Sequence, residues 1–248
     1  MTDFTPVVLR THSVAAITYS FLPYLALQAF VLLLWWPKSS LFERIGNVDE
    51  PATLTVVVVS SGAALACYAL LMDIYPPRTP PLGNSARYDQ ALASEPNSVT
   101  GYAATQIVQL GYLMMLCLPL TLIAHAVSSL ATTQLLWIAL FTAVHTVFYR
   151  LLGIWFCLRW PAREMLLQLG CPALLVLGYA LTTYFSPCLS HAGLSYYVTA
   201  PGREPPLSQC GPIFVGSYAV LAVLLCLDGL RLLRQRMQQR SEDSTAQP

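Results

Sequence analysis

Thr142, His145, Thr146 and Tyr149 stand at positions i, i+3, i+4 and i+7 of a stretch that is otherwise apolar, and Arg150 follows directly. That spacing sets the four side chains on one face of a helix. An imidazole, a phenol and a guanidinium gathered in this way are of the types that move a proton or stabilise an anionic thiol. Upstream, Gln106 and Gln109 lie three residues apart in a second apolar stretch and share a face by the same rule. Polar groups at membrane depth are costly, which makes them candidates for function. They also hydrogen-bond helices to one another, at about 0.6 kcal/mol per bond. On spacing alone the structural role carries more weight than catalysis.

The seven cysteines offer little chemistry. None stands in a Cys-x-x-Cys pair, and no Cys/His spacing suggests a metal site. Cys188 and Cys210 fall in one polar segment rich in Pro, Ser and Tyr, where an oxidising compartment would allow a disulfide. The other five lie in or beside apolar stretches and read as small buried hydrophobes.

The elements that must position these residues follow from composition. The 248 residues are 56% hydrophobic and 10% charged, with a mean hydropathy of +0.57. Soluble domains carry about 25% charged residues, so the natural class is an all-α, polytopic membrane bundle. A net charge of +1 gives no basic field for nucleic acid. A span needs about 20 apolar residues. Six stretches qualify: Val14–Trp36, Ala52–Tyr75, Ala103–His125, Gln134–Phe156, Met165–Phe185 and Ile213–Leu233. Prolines 37, 76, 161 and 212 mark span edges, whereas Pro23, Pro119 and Pro172 fall inside spans.

Charge sets the orientation. With both termini and the segments after spans two and four on one side, that side holds ten of the 13 Lys and Arg residues. The positive-inside rule then places both termini in the cytosol. Residues 1–13 form the cytosolic N-terminus, and 14–75 hold spans one and two. A Pro-rich cytosolic loop follows at 76–102, then spans three to five at 103–185. Residues 186–212 make a lumenal loop with Cys188 and Cys210, 213–240 hold span six and a basic juxtamembrane helix, and 241–248 a disordered tail. Spans three and four, joined by a few residues, are expected to pack as antiparallel neighbours. Arg150 is expected to snorkel to the headgroups, and Asp228 to pair with Arg231 three residues on.

The stretch Thr142-Ala-Val-His145-Thr146-Val-Phe-Tyr149 resembles the closing motif of the MAPEG superfamily, the membrane-associated proteins of eicosanoid and glutathione metabolism. That motif reads roughly Arg-x-x-His-Thr-x-x-Tyr. Thr105-Gln106-Ile-Val-Gln109-Leu110 occupies the place of the family's Asn-x-x-Glu motif, and its Gln-x-x-Gln-Leu pattern is similar to the divergent mattrin-like members. The likeness covers roughly residues 14 to 185, so span six is an addition to a MAPEG-like core.

The resemblance implies a helical bundle and a homotrimer. For the enzymes of the superfamily it implies glutathione bound through arginines and the Asn/Glu pair. Here Thr142 stands in place of the arginine that stabilises the thiolate, and Gln106 and Gln109 replace Asn and Glu. A neutral threonine cannot lower a thiol's pKa. The expectation is therefore a non-enzymatic membrane protein without a cofactor. Likeness to mattrin-like members implies Golgi, endosomal or lysosomal membranes, a receptor or trafficking partner, and roles in vesicle traffic or receptor turnover that dampen Wnt/Frizzled signalling. The alternative is a glutathione-dependent transferase or isomerase acting on lipophilic substrates.

Overall fold

The structure, a computed structural model, describes residues 21–26, 28–30, 51–71, 98–127, 131–160, 164–199 and 207–245. The expected N-terminus at 1–13, most of span one and the Pro-rich residues 76–97 lie outside the described residues. What is described is all-helical, with no strand. The helices are α1 (Pro51–Leu71), α2 (Ser98–Val127), α3 (Thr132–Arg159), α4 (Glu164–Phe185), α5 (His191–Thr199) and α6 (Leu207–Thr245). A 3-10 turn, Pro187–Leu189, precedes α5, and a helical segment at 21–26 and 28–30 precedes α1.

Two helical stretches are long and apolar enough to cross a membrane, Thr132–Phe156 in α3 and Gln209–Leu232 in α6. Shorter apolar stretches are Val57–Leu71, Val108–Ile123 and Leu169–Thr182. Their outward faces carry large exposed hydrophobic side chains: Leu136, Leu140 and Val147 on α3, Leu174 and Leu177 on α4, Val220 and Leu224 on α6.

The inward faces explain the packing. Along α3, Ile138, Phe141, His145, Tyr149 and Phe156 are buried at steps of three, four and seven residues, one continuous stripe at helical period. Cys210, Phe214 and Tyr218 form the matching stripe of α6. The two stripes meet in the most extensive interface of the fold, where Phe141 and Phe214 pack edge to face with centroids 5.4 Å apart. α3 also lies close against α1, because a Cβ at Gly153 would run into the Leu70 backbone carbonyl.

Several boundaries differ from those read in the sequence. α1 packs on both α2 and α3, while α2 and α3 touch only slightly, so the short connection does not make them principal neighbours. α2 begins at Ser98, inside the expected loop 76–102. Pro212 lies inside α6 and marks no edge. α6 runs on to Thr245, into the segment 241–248 read as a tail.

The described part of the segment 186–212 is helical rather than an open loop. Its 3-10 turn and α5 fold back against α1, α3, α4 and α6, and a Cys188–Cys210 disulfide fastens the turn to α6 with Cα atoms 4.8 Å apart. The Tyr218 hydroxyl donates to the Leu189 carbonyl at 3.0 Å and fixes the same junction.

Candidate functional site

α3 delivers the four motif residues to the centre of the bundle, and each finds a different partner. Thr142 Oγ1 and His191 Nε2 share a hydrogen bond of 2.9 Å, so the hydroxyl joins α3 to α5. Thr146 is fully buried and donates to the Thr142 carbonyl at 2.7 Å, within its own helix. Tyr149 is buried in an apolar cluster with Ala66, Leu70, Leu110, Cys171 and Leu175.

His145 is the hub. Its ring meets Tyr149 at 4.7 Å between centroids, Tyr179 of α4 at 5.3 Å and His191 of α5 at 5.1 Å. From α6 come Phe214 at 6.3 Å and Tyr218 at 5.5 Å. Four helices thus close around one imidazole with aromatic rings, whose edge-to-face and offset contacts each contribute about 0.5–1.5 kcal/mol beyond burial.

His191 fits only because Gly62 faces it: a Cβ on Gly62 would overlap the imidazole. Burial lowers the His191 imidazole from its ordinary value to about 4. Taking a cation out of water without a counter-charge disfavours the protonated form.

The cluster is built of imidazole, phenol and phenyl rings. Nδ1 of His145, Nδ1 of His191 and the Tyr179 hydroxyl are buried without a hydrogen-bond partner among the described residues. The nearest cation along α3, Arg150, is turned away. It does not snorkel but is 1% exposed, and its Nη1 donates to the Ala69 carbonyl of α1 at 3.3 Å. A snorkelling guanidinium lays its stem along apolar surface and keeps its head in water; here the head is buried against α1.

The two glutamines do not complete a polar site with α3. Gln109 is buried, yet neither its Oε1 nor its Nε2 has a hydrogen-bond partner among the described residues. Gln106 lies in α2, and its side chain is outside the described residues. Asp228 also departs from expectation: its Oδ2 accepts from Trp155 Nε1 at 2.7 Å, joining α6 to α3 rather than pairing with Arg231.

Sequence reasoning missed His191, Tyr179, Phe214 and Tyr218. A signal existed for His191, one of only four histidines, three residues after Cys188. Phe214 and Tyr218 are four residues apart, a shared face. Among the described residues the arrangement offers hydrogen bonding and proton exchange between imidazole and phenol groups. Among the described residues no group of three or more His, Cys, Asp or Glu could hold a metal ion. Comparison with protein-family models, with curated proteins and with solved structures finds nothing that matches this chain.

Proposed function

We propose that this chain is a six-span membrane protein of MAPEG-like descent, with both termini cytosolic, whose bundle is a non-catalytic scaffold. The observation that carries this reading is the enclosure of His145 by rings from α3, α4, α5 and α6. In a bundle where lipid removes the usual hydrophobic driving force between helices, packing and interhelical hydrogen bonds hold the spans together. His145, Thr142 and Tyr149 are used in that way. The exposed apolar faces of α3, α4 and α6 support contact with lipid.

In this reading the protein resides in Golgi, endosomal or lysosomal membranes, in homotrimers, and serves vesicle traffic or the turnover of surface receptors, including those that receive Wnt signals. Partner proteins are engaged by its cytosolic segments.

The test is calorimetric titration of the detergent-solubilised full chain with glutathione, repeated on Tyr149→Phe and Arg150→Ala. A scaffold gives no saturable heat, and Tyr149→Phe leaves the effect on receptor levels in cells intact. Saturable binding lost in either variant overturns the reading in favour of a glutathione-dependent transferase or isomerase. Protease protection of tags at the two termini in sealed microsomes checks the six-span topology: both tags must be digested from the cytosolic side.

A further inference from the structure

A second polar site lies at the far end of the α3–α6 interface, away from His145. A cleft of about 520 Å³ opens there, lined by Trp155, Arg159, Trp160, Asp228, Arg231 and Gln235. Clefts of this size hold small ligands or headgroups. Its position is set by two helices independently: the apolar stretch of α3 ends at Phe156 and that of α6 at Leu232. Both stretches therefore run out at the level of the cleft, where a bilayer would give way to its headgroups.

The residue types fit that level. Indole rings favour the membrane interface, and Trp155 and Trp160 stand edge to face with centroids 5.5 Å apart. Arg159 and Arg231 are exposed side chains with no ion-pair partner among the described residues. Among the described residues that line the cleft the one carboxylate, Asp228, accepts a hydrogen bond from the Trp155 indole. Among those residues two guanidiniums stand against one carboxylate, a positive balance facing the opening. Guanidinium groups bind phosphate through paired, charge-assisted hydrogen bonds.

We propose that this cleft binds the phosphate of an anionic phospholipid, with Arg159 and Arg231 as its cationic ligands and the two indoles as walls for the glycerol backbone. The proposal rests on the membrane-spanning reading above. A soluble phosphate ester would offer the same anion, but the ends of two apolar stretches at one level favour a source already in the bilayer. The arginine-rich side is the cytosolic one in the six-span topology, and the cytoplasmic leaflet carries the anionic lipids. Trp155 has a double part: its ring walls the cleft and its N–H holds the Asp228 carboxylate.

The experiment uses the full chain reconstituted in phosphatidylcholine vesicles doped with brominated phosphatidic acid, whose bromine quenches nearby tryptophan fluorescence. Saturable quenching is expected, with its amplitude reduced in Trp160→Phe. The double variant Arg159→Gln, Arg231→Gln should weaken the apparent affinity about tenfold or more. Both side chains are exposed, so circular dichroism and elution volume should be unchanged. Asp228→Asn, which removes the competing negative charge, should tighten binding by about twofold to fivefold. Equal quenching in the double variant, or no saturation, overturns the site. Displacement by inorganic phosphate or glycerol 3-phosphate as effectively as by added phosphatidic acid overturns the lipid source and leaves a soluble phosphate ester. Alkaline carbonate extraction separates the two proposals: a chain that leaves the membrane sinks the spanning reading, whereas one that stays but does not quench sinks only the headgroup site.

Discussion

The imidazole of His191 lies stacked on that of His145, with ring centroids 5.1 Å apart and 27° between their planes. The two come from α5 and α3, and the contact seats the short helix in the centre of the bundle. Behind His191 stands Gly62 of α1, with no room for a methyl group.

Gly62→Ala is therefore expected to destabilise the protein. The added methyl must displace the His191 ring and with it the Thr142 hydrogen bond, an overpacking cost of about 1–3 kcal/mol. Gly111→Ala on α2 is the control, since nothing lies within 4 Å of the site its Cβ would take. There the substitution should be neutral or stabilise the helix by about 0.5–1 kcal/mol. Thermal unfolding of the two variants in the same detergent checks both.

Acidification should unfold the protein through His191. Its imidazole is lowered to about 4 by burial, against about 6.5 in an unfolded chain. A depressed folded pKa contributes stability that is complete above the unfolded value and is lost as pH falls through the window from about 6.5 to 4, amounting to about 3 kcal/mol. The melting temperature should therefore drop over that window, and His191→Asn should flatten the dependence while lowering stability at neutral pH. A profile as steep in the variant as in the parent would place the responsible group elsewhere.

The Cys188–Cys210 bridge closes a segment of 22 residues, for which loop-closure entropy predicts about 3 kcal/mol of stabilisation. Replacing both cysteines by serine should lower the melting temperature and make the bonds between residues 190 and 206 more sensitive to protease. Loss of the bridge should leave the α3–α6 interface intact, because Phe141 and Phe214 do not depend on it.

Arg150→Ala should cost about 2–5 kcal/mol, since it empties a fully buried volume. Arg150→Met should recover much of that by filling the space without bringing a charge. If the guanidinium serves an anionic ligand instead of the fold, methionine will be as poor as alanine in the glutathione titration while matching the parent in stability.

Much of this architecture is legible in the sequence, and what is not has a common cause. Apolar runs over 134–156 and 213–233 announce α3 and α6, because a hydrophobic stretch of that length with so few charges has few other fates. The shared face of Thr142, His145, Thr146 and Tyr149 follows from helical period alone. What that face touches does not follow: Thr142 meets His191 across 49 residues, and Asp228 meets Trp155 across 73. Local spacing offers Arg231 to Asp228 and hides the indole. α5 is hidden for another reason. Nine residues with glycine, serine and two tyrosines look like any polar loop, and the seat of His191 is made by Gly62 on a helix more than a hundred residues earlier.

The hydrogen bond between Arg150 and the Ala69 carbonyl spans 81 residues of chain, and in the membrane-spanning protein proposed above its direction in sequence has a consequence for biogenesis. A polypeptide threaded into a bilayer as it leaves the ribosome presents Ala69 long before Arg150. The acceptor is waiting when the cation arrives. α3 can then be handed sideways from the insertion machinery onto α1 with its guanidinium already claimed, and the charge need never face hydrocarbon on its own. A circular permutation that placed α3 ahead of α1 would strip away that order of events, even though every contact of the finished bundle were kept.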